Sequence, residues 1–325
     1  MRVLAGDIGG TSARLAVVEI DEHSAELVVT RRYDSNEYPG LAPIVNAFLA
    51  EIAERPTRAC FGVACPVSEG KCIATNLSWV IDVEVLREAI GIERTGVIND
   101  LHAVGRGVER MGAADLLQLQ AGEPKVRGPL ALIGAGTGLG EAFLTWHDGA
   151  YVVHASEGGH ASFSPTNELE WRLHETLARR FGHVSFERVV SGPGLSNVYE
   201  HLAAAGDIAE QASVRIEMRG VDPAPVITRH ALAGSDELCQ LTLDVFTKVF
   251  GAQAGNLALT VLATGGVYVA GGIPPRMVPK LLDGTFMTAF RAKGRLSAIM
   301  AKIPVNVIVN PNVGIIGAAV VAMEQ

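Results

Sequence analysis

Two Gly/Thr segments constrain this chain more than any other feature. The first, GDIGGTSAR, runs from Gly6 to Arg14, and the second, GAGTGLGE, from Gly134 to Glu141. Each follows an apolar run of β type (Val3 to Ala5, then Leu130 to Ile133) and leads into another (Leu15 to Ile20, then Ala142 to Trp146). The pattern predicts two strand–turn–strand hairpins. Their turns expose backbone N–H groups and small hydroxyls, with no Cβ to hold a bulky anion away. One such turn alone is weak evidence; two facing each other across a cleft would grip the phosphates of a nucleotide from both sides.

With 325 residues, 48% of them hydrophobic, the chain can bury more than one core, and its length suggests about two domains. Only 19% of residues are charged, which argues against extensive disorder. A net charge of −8 with no run of Lys or Arg argues against nucleic acid or an anionic membrane as the main partner. It does not argue against ATP, because backbone dipoles and a bound metal make a local site electropositive. The four cysteines (Cys60, Cys65, Cys72, Cys239) form no CxxC pair and read first as buried or semi-buried free thiols in a reducing compartment, with a metal site or a disulfide as the alternatives. Asp7 stands where a signal peptide needs its apolar stretch, so a cytoplasmic protein is expected. The uncharged stretch from Val305 to Met323 is long enough to consider as a membrane span. Asn306, Asn310, Pro311 and Asn312 break it into a buried strand, a turn and a packed helix.

Along the chain, residues 2–33 read as three strands, with Asp7–Thr11 in the first turn. Helical spacing follows from Pro39 to Arg55, then a buried strand from Arg58 to Ala64 that ends at Pro66. A short hairpin, the segment ATNLSWVID and a helix capped by Asp82 come next. The strand Thr95–Ile98 leads to Asn99-Asp100, which opens another helix. A second cycle starts at Pro129 with three strands and a helix-rich stretch from Glu168 to Ala263, whose last helix begins at Asp236. A strand from Gly266 to Gly272, helices to Met300, a strand from Ile303 to Val309 and a closing helix complete it. Each cycle opens with a Gly-turn hairpin and continues into α/β segments, the signature of a structural duplication.

No GxxxxGK[ST] loop, GxGxxG fingerprint, protein-kinase motif, HExxH or GxSxG occurs, so phosphate binding must use the hairpin turns. Asp7 would be repelled by an anion beside those turns. It makes sense as a turn residue, or as a carboxylate that reaches Mg²⁺ directly or through a water. Asn99-Asp100, at the carboxyl end of a buried strand, lies where α/β sheets place ligands, although helix capping explains such a pair equally well. A helix N-terminus favours ionised Asp100, ready to accept a substrate hydroxyl proton. Glu157 and His160 flank two glycines in HASEGGHASF and aim into one concavity; with His154 they also admit a metal reading, but no further ligands are evident nearby. Glu187, in SFERVVSGPGL, is a charge inside an apolar stretch and reads either as a surface ion pair or as a ligand contact. Carboxylates and amides converging with one His suit a polyhydroxylated neutral ligand. Gly271-Gly272, in VAGGIPPR, would let an adenine ring lie against the backbone.

Taken together, GDIGGTSAR, VINDLHAV, GAGTGLGEA, SEGGHASF, FERVVSGPGL and VAGGI occur in the order found in the bacterial-type glucokinase family, which the chain resembles along nearly its whole length. The resemblance implies an α/β protein of the duplicated ribonuclease H-like (actin-like ATPase/hexokinase) fold. It implies a small domain of residues 1–110 with 312–325, a large one of 111–311, and a cleft between them that takes ATP and Mg²⁺. The activity implied is phosphorylation of glucose at its 6-hydroxyl in glycolysis, by a homodimer. By motif position Asp100 matches the family's catalytic base, and Asn99, Glu157, His160 and Glu187 its sugar contacts. Gly6, Asp7, Ile8, Gly9, Gly10 and Thr11 match one phosphate segment; Gly136, Thr137 and Gly138 lie in the other. Gly271-Gly272 match the adenosine segment. Ser12 departs from the Asn frequent in the family, and the zinc-binding cysteine cluster of the related ROK sugar kinases is missing. Glucose is expected to drive the domains together and exclude water from the transferred group. Rival readings keep the mechanism and change the sugar to mannose, fructose or an amino sugar, or make the protein a sugar-sensing regulator. The presence of both Asp7 and Asp100 speaks against the last.

Overall fold

A computed structural model describes residues 1–65, 67–73 and 79–325. The chain divides into two compact units. Unit 1 comprises Met1–Leu116, Tyr151–Ala155 and Asn310–Gln325; unit 2 comprises Leu117–Ala150 and Ser156–Val309.

Unit 1 is built on strands β1 (Arg2–Ile8), β2 (Ser12–Ile20), β3 (Ala25–Asp34) and β4 (Arg58–Val63), a two-stranded β5 (Lys71–Ile73) and β6 (Val80–Asp82), and β7 (Arg94–Asn99). Its sheet runs in the order β3-β2-β1-β4-β7, with β1 antiparallel to β2 and parallel to β4. Helices α1 (Leu41–Glu51), α2 (Val83–Ile90) and α3 (Asp100–Val108) belong to the same unit. So does α12 (Val313–Glu324), which the chain reaches only after it has traversed unit 2. On one face, Leu41, Ile44 and Phe48 of α1 cluster with Leu4, Leu15 and Phe61. On the other, Ile315, Ala318 and Ala322 of α12 cluster with Val3, Ala5 and Val18. Both faces are covered, which is why Val3, Leu4 and Ala5 read as an unbroken apolar run.

Helix α12 is apolar around most of its circumference and buried from Val313 to Val320. It reaches α3 at two glycines. A methyl group at Gly317 would overlap the Ala103 carbonyl, and one at Gly107 would overlap that of Val313. Among the described residues no helix is long and apolar enough to cross a membrane. The 305–323 stretch resolves into strand, turn and helix.

Unit 2 holds β8 (Leu116–Gln120, whose first residue belongs to unit 1), β9 (Leu130–Ala135), β10 (Leu139–His147), β12 (Gly266–Ala270) and β13 (Val305–Ile308); β11 (Ala150–Ser156) lies mostly in unit 1. The order β10-β9-β12-β13 repeats β2-β1-β4-β7 of unit 1, with the same antiparallel hairpin and the same parallel partners. The helices are α4 (Glu168–Phe181), α5 (Gly192–Ala205), α6 (Ala212–Glu217), α7 (Pro223–Ala233), α8 (Glu237–Val261), α9 (Val278–Leu282), α10 (Thr285–Arg291) and α11 (Ser297–Met300). Asp236 caps α8 by accepting from the Cys239 N–H at 2.7 Å. Phe246, Phe250 and Phe286 meet edge to face in the core, and Phe286 stacks on Phe290.

Three features differ from the sequence reading. Strand β8 has no counterpart in it, because LLQLQ is short and ends in a glutamine. The buried Gln120 amide is satisfied by the carbonyls of Met300 (2.8 Å) and Ile303 (2.5 Å). Cys65 and Cys72 are joined in a disulfide, and only Cys60 and Cys239 are free, both buried. The pair meets because Ser68 and Lys71 exchange two backbone hydrogen bonds of 2.9 Å and fold the chain back on itself. That turn is invisible to a search for CxxC. Finally, Asp7 sits inside β1, not in a turn. It pairs with Arg14 across β2 and with Gly62 across β4. Pro66, the expected strand end, and residues 74–78 of ATNLSWVID lie outside the described residues.

Candidate functional site

In unit 1 the first Gly/Thr turn shrinks to Gly9, Gly10 and Thr11, closed by the Gly9 N–H donating to the Ser12 carbonyl at 3.0 Å. Gly6, Asp7 and Ile8 are strand residues. The Ile8 side chain is buried in the core, and its carbonyl accepts from the Ala64 N–H at 3.2 Å. Ser35 Oγ donates to the Gly9 carbonyl at 3.0 Å and steadies the turn from the end of β3. Arg14, the last residue of GDIGGTSAR, donates from Nη2 to Asp7 Oδ2 at 2.6 Å and to the Pro311 carbonyl at 2.7 Å. It ties the Asp7 carboxylate to the segment that leads into α12. Arg14 has no role in the sequence pattern, because its position opposite Asp7 emerges only once Asp7 is placed in β1.

Asn99 and Asp100 join β7 to α3. Asn99 Oδ1 accepts from the N–H groups of Leu101 (2.9 Å) and His102 (3.3 Å), and its Nδ2 donates to the Cys65 carbonyl at 3.3 Å. Asn99 is therefore the helix cap, which leaves Asp100 as the first helical residue with its carboxylate among the free N–H groups of the first turn. Burial pushes the Asp100 carboxyl up to about 6, and the nearby Asp7 charge adds to this; the hydrogen bond from Leu101 opposes both. Structure thus brings Asp7, Asn99 and Asp100 into one neighbourhood.

In unit 2 the second turn is closed by the Gly136 N–H donating to the Gly138 carbonyl at 2.9 Å, with Thr137 exposed at its tip. Two segments converge on it. The Gly192 N–H, at the start of α5, donates to the Gly136 carbonyl at 2.8 Å, and the Ile273 N–H to the Ala135 carbonyl at 3.1 Å. Gly271 has φ +95°, and a side chain there would overlap the Ala135 backbone, so only glycine lets the Gly271-Gly272 bend lie on the turn. Ser191 caps α5 by accepting from the Gly194 N–H at 3.0 Å and donates to the Glu187 carbonyl at 2.7 Å. Ser191 and Gly192 had no assigned role, although Ser-Gly-Pro-Gly is a recognisable helix start.

Glu187, His160 and Glu157 form a line in the same unit. Glu187 Oε2 accepts from the Leu139 N–H at 3.0 Å, and its Oε1 lies 3.8 Å from His160 Nδ1. His160 Nε2 lies 3.8 Å from Glu157 Oε2. The Glu157 and His160 side chains are 72% and 58% exposed, against 28% for Glu187. The outer two are open to a ligand while the inner one is fixed by the backbone of β10. Acceptors and an imidazole at this spacing suit several vicinal hydroxyls. Among the described residues no group of three His, Cys, Asp or Glu side chains is placed to hold a metal ion.

A glucokinase family model matches residues 4–325. A glucokinase of Trichormus variabilis is 42% identical over 337 residues, covering 98% of this chain and 98% of that protein. The crystal structure of a glucokinase from an Antarctic psychrotroph superposes with a TM-score of 0.85 at 32% identity, covering 100% of this chain and 99% of that one. A ROK-family glucokinase from Streptomyces griseus, in complex with glucose and AMPPNP, shares the fold at a TM-score of 0.69 and 21% identity, covering 100% of both chains.

Proposed function

The chain belongs to the glucokinase family, within the actin-like ATPase fold of the hexokinases, and from that premise we propose that it transfers the γ-phosphoryl group of ATP to the 6-hydroxyl of D-glucose. Asp100 is the general base. The observation that carries this is its position: a partly buried carboxylate, one residue past the cap of α3, with its proton affinity raised to about 6. At neutral pH such a group is ionised yet more basic than an ordinary aspartate. It accepts the hydroxyl proton as the oxygen attacks phosphorus, and phosphoryl transfer through a loose transition state asks little more of it than placement.

Asn99 holds the start of α3 and offers its amide to the sugar, and Glu157, His160 and Glu187 bond further hydroxyls. The turns at Gly9–Thr11 and Gly136–Gly138 present N–H groups to the ATP phosphates, and the Gly271-Gly272 bend takes the adenosine. AMPPNP in the Streptomyces griseus relative supports a nucleotide as the donor. Mg²⁺ fits the donor set through Asp7. Arg14 occupies Oδ2, and among the described residues Oδ1 carries no hydrogen bond and no cage of His, Cys, Asp or Glu side chains is formed, as suits an ion that keeps waters and phosphate oxygens as its other ligands. When bound with ATP the ion neutralises charge on the phosphates. We assign the enzyme to the cytoplasm, where ATP is available, and, as the family resemblance implies, to a homodimer of 34.3 kDa subunits.

A coupled assay across glucose, mannose, fructose and glucosamine, with ATP, ADP and polyphosphate as donors, tests the reading. Turnover is expected with glucose and ATP first. A preference for another hexose changes the substrate, and no turnover with any pair removes the proposal.

A further inference from the structure

We propose that Glu141, a buried residue behind the Glu157–His160 turn, is a positioning residue that sets glucose affinity by supporting that turn, and that Gln253, Asn256 and Lys293 hold it there. The inference rests on the reading of Glu157 and His160 as sugar contacts.

Glu141 lies in β10 opposite Ile133 and is 3% exposed. A carboxylate in such a place needs partners. Its Oε1 accepts from Gln253 Nε2 at 2.7 Å, Gln253 Oε1 accepts from Asn256 Nδ2 at 3.0 Å, and Asn256 Oδ1 accepts from Lys293 Nζ at 2.7 Å. Lys293 is anchored in turn by donating to the Ala252 carbonyl at 2.8 Å. Two amides, both on α8, thus run as aligned dipoles from an ammonium to a carboxylate, and every bond in the chain polarises the next.

The other carboxylate oxygen faces the turn. A methyl group at Gly158 would overlap Glu141 Oε2, and one at Gly159 would overlap the Leu139 carbonyl. Both glycines of Glu-Gly-Gly-His are therefore explained by the surface of β10 on which they lie. The turn itself closes through the His160 N–H, which donates to the Glu157 carbonyl at 2.9 Å. Leu139 also donates its N–H to Glu187, so all three proposed sugar contacts of unit 2 take their position from the same strand. A displaced Glu141 shifts Glu157 and His160 while leaving Asp100 and the Gly9–Thr11 turn, which belong to the other unit, where they are.

Steady-state constants for wild type, E141A, E141D, G158A and the E141A/G158A double variant test this. E141A is expected to raise the glucose KM about tenfold with the ATP KM and kcat within about twofold of wild type. E141D keeps the charge but withdraws the oxygens by one methylene, and is expected to raise the glucose KM about threefold; it reads the same effect if E141A does not fold. G158A alone is expected to raise the glucose KM strongly, and adding E141A to it is expected to cost nothing further, because the oxygen that the methyl meets is gone. Unchanged glucose KM in E141D and E141A, additive effects of E141A and G158A, or a parallel loss in all three constants would overturn the assignment. A wild-type protein that phosphorylates no glucose removes the functional reading and this inference with it, whereas an active wild type with indifferent Glu141 variants removes the inference alone.

Discussion

Ionised Asp100 is a burden on the folded state. Its carboxyl is held near 6 against an ordinary value of 3.8, which destabilises the native protein by on the order of 2–3 kcal/mol once both folded and unfolded forms are deprotonated. The folded state binds this proton more tightly than the unfolded chain. The penalty is therefore absent below about pH 4, grows between there and pH 6, and is complete above it. D100N keeps an acceptor for the Leu101 N–H and loses the charge. Thermal melts are expected to show D100N more stable than wild type at pH 8 and equal to it at pH 4, while kcat falls about 10²-fold or more. Wild-type kcat/KM should decline about tenfold per pH unit below pH 6. A D100N protein that is less stable at pH 8, or that turns over at the wild-type rate, contradicts the role given to this residue.

At the scale of elements, the crossing of α3 and α12 depends on having no side chain at Gly107 and Gly317. Since α3 begins with Asp100, pushing these helices apart moves the proposed base. G317A is expected to lower stability by at least about 2 kcal/mol in urea denaturation, because the overlapped atom is backbone and cannot rotate away. G40A, at an extended position with nothing within 4 Å of the added methyl, is the control and should change stability by about 0.5 kcal/mol or less. Equal effects from the two would mean that the crossing tolerates a side chain.

These elements also show what a linear reading captures. The hairpins, α1, α3, α8 and α12 were legible because an apolar pattern, turn glycines or a capping Asp or Asn marked each of them; Asp82, Asn99 and Asp236 all cap as their positions suggested. The Cys65–Cys72 link, the short β8 and the placement of Asp7 within β1 were not legible. Asp7 and β8 are decided by partners distant in sequence, and the short hairpin read between Cys65 and Cys72 did not by itself show that the two sulfurs meet. Glu141 escaped for the same reason. Its importance lies in α8 and in residue 293, and nothing next to it in the chain announces them.

For the molecule as a whole, the repeated strand order gives each unit its own hairpin turn at the same topological position, a correspondence that the motif order suggests despite little sequence identity between the halves. Proposed sugar contacts occur in both units: Asn99 and Asp100 in one, Glu157, His160 and Glu187 in the other. Glucose at 100 times its Kd should add about 2.7 kcal/mol of stability through binding to the native state alone. A melting temperature that rises with the logarithm of glucose concentration is the expected record, and one that ignores glucose argues against sugar recognition.

Helix α12 has a consequence for biosynthesis. The layer it supplies against Val3, Ala5 and Val18 is encoded after residue 312, so β1 and β2, once out of the ribosome, wait for the whole of the other unit to be translated before their second face is covered. The unit begun before the other is the unit finished after it.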